Sequence, residues 1–238
     1  MLKIKKNYNF EFLLFKNKLM KQIFKNNLCF FIPYFIILLF SIGVLFWSNK
    51  ADIHIYINQK YNNFADVFFQ VATFLAGGIA IPLLILPTLF VKYRYTISSI
   101  ATILLSTLIV FVAKRSFNMP RPLKYFNTIY EGSFQLRLIE GLNIHGSYSF
   151  PSGHTATAFA VFTFFALITN KKYKLLKIFY IFMAIIIGYS RMYLSQHFLQ
   201  DVVLGSLIGS LSAIVSFYFI NKIKNEKLEN SLLAVLKK

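Results

Sequence analysis

Residues 28–47 read LCFFIPYFIILLFSIGVLFW, twenty positions without one charged side chain. A helix needs about 20 such residues to cross a hydrocarbon core, where every backbone polar group must be satisfied within the segment. The run does not alternate apolar with polar, so it is no barrel strand. A membrane-spanning helix is the element left. Five further apolar runs follow, at about 72–91, 96–113, 154–169, 177–189 and 202–220. The fifth is short and reaches spanning length only by extending to Leu194, with Arg191 turned toward a polar interior. Pro82 and Pro87 should kink the second run. The expected fold is therefore all-α, an integral membrane bundle of six helices.

Composition agrees. The chain is 57% hydrophobic and 18% aromatic, with only 14% charged residues, where a soluble domain carries about a quarter. Cys29 is the only cysteine and lies inside the first apolar run, which excludes a disulfide framework and a cysteine metal site. The net charge of +18 would suit a nucleic-acid partner, but no basic and aromatic residues interleave on a soluble face. The basic residues instead follow topology. Seven Lys fall in the first 27 residues, and others cluster at Lys92–Arg94, at Lys171–Lys177 and after Ile220, so that 18 of 26 lie on one side of a six-span plan. The positive-inside rule then puts both termini in the cytoplasm. Three regions result: a basic segment 1–27, a six-span domain 28–220 and a basic cytoplasmic tail 221–238. The first mixes Lys with Phe, Leu and Ile, and reads equally as an interfacial amphipathic helix or as a topogenic tail.

The unusual polar residues collect at helix–loop junctions on the other, extracytoplasmic face. They are KRSFNMPRP with Lys114 and Arg121-Pro122, then PSGH at Pro151–His154, then SRMYLSQHFLQD with Ser190, Arg191, His197 and Asp201. Ionisable side chains at membrane depth are costly and mark function. Lys114, Arg121 and Arg191 aimed at one point would hold a tetrahedral oxyanion, the Arg forks matching its oxygens and Lys adding a point charge. At the PSGH turn, Gly153 allows close backbone approach and Ser152 can cap a helix or bond an oxygen. Hydrolysis of a phosphoester further needs a nucleophile and an acid for the leaving group. His197 and Asp201 are four apart, so on a helix the carboxylate can fix the imidazole tautomer and leave the other nitrogen to attack. That spacing makes His197 the nucleophile, Asp201 its orienting partner and His154 the general acid. The eight Asp and Glu are scattered singly, so neither a metal nor another cofactor is expected. Taken one at a time, PSGH describes a capped turn, Lys-x6-Arg-Pro a basic loop, and His197 with Asp201 a structural pair. Their conjunction, in order and on one face, points to chemistry.

At these residues the chain resembles the type 2 phosphatidic-acid-phosphatase superfamily, which also contains the vanadium haloperoxidases. Its pattern K-x6-R-P, P-S-G-H and S-R-x5-H-x3-D is met at Lys114…Arg121-Pro122, Pro151–His154 and Ser190-Arg191…His197…Asp201. The resemblance implies a phosphohistidine on His197, with His154 as acid and then base. It also implies a phosphate cradle of Lys114, Arg121, Ser152, the Gly153 amide and Arg191. The membrane branch acts outside the cytoplasm on phosphatidic acid, phosphatidylglycerol phosphate, polyprenyl diphosphates or lipid A phosphates. The expectation is thus a lipid phosphatase of the bacterial cytoplasmic membrane, with the bilayer and an anionic lipid phosphate as partners and no nucleic acid. Two alternatives stay open here: an anionic-lipid binding or transport protein without catalysis, and a vanadate-dependent haloperoxidase. Arg115, Lys124, Arg137 and His145, between the first two motifs, are candidates to contact further head-group phosphates. His54 is read as incidental.

Overall fold

The structure is a computed structural model and describes residues 19–130, 134–142 and 144–236. Among these residues there are helices and no strands. In chain order they are α1 (Leu28–Trp47), α2 (Lys50–Asn58), α3 (Asn63–Phe74), α4 (Ala80–Ile85), α5 (Tyr93–Phe117), α6 (Pro122–Thr128), α7 (Gly153–Ile168), α8 (Lys174–Tyr193), α9 (Leu199–Asn221) and α10 (Leu232–Leu236). Four segments are long and apolar enough to cross a membrane: Leu28–Trp47, Tyr93–Thr128, Lys174–Tyr193 and Leu199–Lys222. Ala80–Phe90 and Gly153–Ile168 are apolar but shorter.

The second run departs from its expected form. It is no continuous helix over 72–91: α3 ends at Phe74, a turn follows, and α4 gives way to a 3₁₀ segment, Leu86–Phe90. Local chemistry explains the breaks. A Cβ on Gly77 would stand 2.9 Å from the Phe74 carbonyl oxygen, and Pro87 sits at the start of the 3₁₀ segment, where it costs no hydrogen bond. The stretch 48–71, between the first two apolar runs, is largely helical. Asn49 and Asn62 accept from the first-turn amides of α2 and α3 and so start both helices.

The centre of the bundle is α7, buried on nearly every side from Thr155 to Leu167. A helix apolar all round belongs inside a bundle, and this one is clasped by α5, α8 and α9. Its closest partner is α9, which runs parallel to it. A Cβ on Gly205 would lie 2.6 Å from the Ser152 carbonyl oxygen, and one on Gly209 would lie 2.1 Å from that of Ala156. Gly205 and Gly209 are four apart and share a face, the small-residue spacing that lets membrane helices touch backbone to backbone. Hydroxyls line the same seam: Thr163 donates to Ser210 at 3.2 Å, and Tyr34 of α1 pairs with Ser206 at 3.3 Å. The outer face of α1, with Ile36, Leu39, Phe40, Phe46 and Trp47, is exposed and apolar, as lipid contact requires.

At the end of the bundle away from the PSGH turn, two buried cations hold the chain. Lys177 donates to Asn26 O, Asn27 Oδ1 and Ala166 O at 3.1, 2.5 and 2.9 Å. Arg94 caps the end of α9 through Ile220 O at 2.5 Å and Ile223 O at 3.0 Å, and it pairs with Glu229. Both ends of the described chain therefore lie at this end. Of the N-terminal basic segment, residues 1–18 lie outside the described residues. Residues 19–26 are helical and send Ile23 into the core.

Gly209→Ala should destabilise the fold by about 1–3 kcal/mol, the range for overpacking a closed contact. Thermal unfolding in detergent checks this, with Ser212→Ala, a helix position without such a contact, as reference.

Candidate active site

His197 is placed by the turn that ends α8. The amides of Gln196 and His197 both donate to Arg191 O, at 2.9 and 3.1 Å, through Ser195 in the left-handed region at φ 53°. That conformation is costly for a side chain other than Gly, and α2 braces it. Asn58 Nδ2 donates to Ser195 Oγ at 3.1 Å, and His54 Nε2 meets the same oxygen at 3.2 Å. His54 is thus not incidental. It is buried between Phe126 and Phe198 and supports the turn.

Asp201 gathers the pieces. Its Oδ2 lies 3.2 Å from His197 Nδ1, accepts from Ser149 Oγ at 2.5 Å and accepts from the Phe198 amide at 3.0 Å. Its backbone oxygen accepts from the Ser152 amide at 3.0 Å, which ties the PSGH turn to the start of α9. Ser152 is fully buried and caps α7, accepting from Thr155 N at 3.4 Å and Thr155 Oγ1 at 2.9 Å. With Nδ1 turned to the carboxylate, Nε2 is the His197 nitrogen available for chemistry. His154 is half-buried on the first turn of α7, and the fixed charges acting on its ring are those of Arg191, Arg121 and Lys114.

The structure brings Lys114, Arg121 and Arg191 into one neighbourhood. Arg121 donates to Ser147 O at 3.1 Å and Gln196 Oε1 at 2.9 Å. Lys114 Nζ bonds Tyr148 O, and its Cε lies 4.0 Å from where a Gly153 Cβ would stand. Arg191 Nη1 donates to Thr73 at 2.6 Å, while its Nε is buried with no hydrogen-bond partner among the described residues. The partners of these cations are neutral oxygens. The one carboxylate within the cluster, Asp201, is taken up by His197 and Ser149. The arrangement sets surplus positive charge beside an oriented imidazole, which is chemistry suited to an oxyanion.

Sequence reasoning missed Ser149, Gln196 and Thr73, which carry common side chains. Ser149, two residues before the PSGH motif, and Gln196, beside His197, had local cues, whereas Thr73 meets the site from far along the chain. Of the four accessory residues, Arg115, Lys124 and His145 line a cavity of about 730 Å³ that shares Lys114 and Arg121 with the cradle. Arg137 does not join them. Its fork is closed on Asp66 at 3.0 and 2.5 Å, and its backbone amide is held by Asn58. Among the described residues, no three His, Cys, Asp or Glu side chains converge as a metal site would need.

A helical membrane bundle with a basic cradle around a His–Asp pair defines a class, and comparison with known proteins gives its family. The model of the PAP2 superfamily matches residues 95–225, more than half of the chain, and the chain belongs to that family. LpxE of Aquifex aeolicus is 32% identical, with a TM-score of 0.58 over 72% of this chain and 96% of that one. The transmembrane PAP2-type phosphatidylglycerolphosphate phosphatase of Bacillus subtilis, at 22% identity, shares the fold with a TM-score of 0.61 over 85% of this chain and 98% of that one. Lipid phosphate phosphatase 1 of Arabidopsis thaliana is 32% identical over 130 residues, 47% of this chain. Lipid A 4'-phosphatase of Bacteroides thetaiotaomicron is 36% identical over 75 residues, 32% of this chain. The matches span only 40% and 32% of the length of these two curated relatives.

Burial drives the His197 imidazole down to about 4, against a smaller upward pull from Asp201, and burial likewise holds His54 at about 4. Both rings are neutral in the folded protein at neutral pH. Because the unfolded chain binds these protons at about 6.5, the stability from keeping the rings neutral is full above that pH. It is lost as pH falls from there toward 4. Histidine NMR should show His197 neutral at pH 6, and Asp201→Asn should lower its titration further.

Proposed function

We propose that the protein is a metal-independent membrane phosphatase that removes a terminal phosphate from a lipid phosphate or diphosphate through a phosphohistidine. The observation that carries this reading is the cradle itself: Lys114, Arg121 and Arg191 around His197, with Asp201 already committed to the imidazole. An anion-binding protein needs the cations. It needs neither an oriented imidazole nor a second histidine beside it.

In the proposed reaction, the substrate phosphoryl oxygens sit among Lys114, Arg121, Arg191, Ser152 and the Gly153 amide at the start of α7. His197 Nε2 attacks phosphorus while the P–O bond to the lipid breaks and His154 gives its proton to the departing oxygen. Asp201 and Ser149 hold Nδ1 and stabilise the charge that develops on the ring. Water then attacks the phosphohistidine, giving its proton to His154, and phosphate leaves with His197 restored. The fixed cations supply the charge stabilisation a metal would otherwise give. Carbonyl-held cations suit this task, because their donors are preorganised before the anion arrives.

The domain assignment follows the same reading: residues 28–220 form a six-span catalytic unit, with 1–27 and 221–238 as basic cytoplasmic flanks. The site faces the exterior of the bacterial cytoplasmic membrane. The basic end of the bundle, with Lys92, Arg94, Lys171–Lys177 and the tail, then lies inside. The broken second run, α3 with α4, completes the even number of crossings. The accessory cavity favours a polyanionic head group, a lipid A phosphate or a polyprenyl diphosphate, over plain phosphatidate, because Arg115, Lys124 and His145 extend the positive surface beyond the scissile phosphate.

His197→Ala should abolish phosphate release, with more than about a thousandfold loss and the protein still inserted and folded. Turnover above a tenth of wild type would sink the nucleophile assignment. His154→Ala should lose about 10²–10⁴-fold with alkyl phosphates and much less with activated aryl phosphates, which need no proton on leaving. Release from phosphatidate, phosphatidylglycerol phosphate, undecaprenyl diphosphate and lipid A should continue in EDTA and be fastest for one of the polyanionic substrates.

A further inference from the structure

A second cavity, of about 960 Å³, opens at the end of the bundle opposite the cradle. It lies between residues 19–27, the connection from α7 to α8, and the end of α9. Leu19, Ile23, Leu167 and Phe217 supply an apolar wall, and Lys171, Lys222 and Lys224 a basic mouth. Among the described residues no carboxylate lines it. Its inner side is a built structure rather than a surface dent. Buried Lys177 joins Asn26, Asn27 and the Ala166 carbonyl, fixing residues 19–27 against the ends of α7 and α8. Lys222 is held over the Tyr218 ring at 4.3 Å to its centroid, which steadies one side of the mouth.

The depth of the cavity is set by the helices around it: α7 ends at Ile168, α8 starts at Lys174 and α9 ends at Asn221. Two candidate membrane spans, α8 and α9, and the shorter apolar α7 all terminate at this level, where on the proposed topology hydrocarbon gives way to head groups. A soluble anion would satisfy the lysines but leave the apolar wall uncovered. A neutral lipid would cover the wall but bring no negative charge to the basic mouth. Basic pockets between helices at a membrane face match lipids that carry both features.

We propose that this cavity holds the head group of an anionic phospholipid, its phosphate against Lys171, Lys222 and Lys224 and its upper acyl chains along Leu19, Ile23, Leu167 and Phe217. The lipid is a resident at the far membrane face, separate from whatever the cradle binds. It bridges the N-terminal helix and the end of α9, whose Ile23 and Phe217 also pack in one apolar core.

The test uses the full-length protein and phosphatidylglycerol, a phosphodiester, titrated into phosphatidylcholine nanodiscs with thermal stability and labelled-lipid binding as readouts. Lys171→Gln/Lys222→Gln/Lys224→Gln should weaken phosphatidylglycerol binding by about a hundredfold, at about 1 kcal/mol for each lysine removed. The corresponding triple arginine variant should bind as wild type does, which separates lost charge from lost folding. Arg121→Gln, in the cradle, should leave this binding unchanged. The proposal is overturned if the glutamine variant binds like wild type, if the loss follows Arg121→Gln instead, or if inorganic phosphate displaces the lipid.

Discussion

The contact between α7 and α9 is the constraint on which the site depends. Two glycines, one helical turn apart, let the backbones of these parallel helices approach until no Cβ fits between them. The approach sets Ser152 at the first turn of α7 against Asp201 at the first turn of α9, so the PSGH cap and the His197 partner meet at one level. A glycine within a helix costs about 1 kcal/mol relative to alanine, and here the cost secures geometry rather than flexibility. The seam continues in hydroxyls, Thr163 with Ser210 and Ser206 with Tyr34, where hydrogen bonds and small volume replace the hydrophobic drive that lipid removes.

Around that seam the site is assembled in layers. The inner layer is the His197–Asp201 pair with Ser149. Outside it stand three cations whose hydrogen bonds go to Ser147, Tyr148, Gln196 and Thr73. Outside these again, α2 supports the Ser195 turn, and the Asp66–Arg137–Tyr193 cluster joins α3 to α8 and to the segment near residue 137. Each layer fixes the one within it. Precision at the imidazole is thereby achieved although its own turn carries a strained Ser195.

Much of this was legible in the residues. Spanning runs show in any sequence whose apolar stretches approach 20 residues, and the cradle positions show because charge at membrane depth is rare. The assignments of Lys114, Arg121, Ser152, His197 and Asp201 to one neighbourhood followed from that rarity plus the spacing four of His197 and Asp201. What stayed hidden has a common physical cause. Ser149, Gln196 and Thr73 act through long-range contacts and carry no unusual chemistry of their own. Arg137 looked like its basic neighbours, and only the fold reveals that Asp66, 71 positions earlier, claims its fork. The second run failed as a single helix because hydropathy averages over Gly77, Gly78, Pro82 and Pro87, whereas backbone geometry does not. The glycine pair was visible in the text, but nothing local says which helix it faces.

The resting partners of Lys114 and Arg121 bear on how fast such a site can empty and refill. Both donate to uncharged oxygens, the carbonyls of Tyr148 and Ser147 and the amide of Gln196. A cation held by a neutral oxygen lacks the full Coulomb attraction that a carboxylate partner would add. For the proposed phosphate such partners would be easier to displace, and residues 147–148 would take the donors back when it left. Carboxylate partners would have closed the cradle with salt bridges that every incoming ligand had to break. Backbone dipoles and one side-chain amide keep these cations organised without neutralising them, and on the proposed reading the loop before the PSGH turn would be the placeholder for the guest.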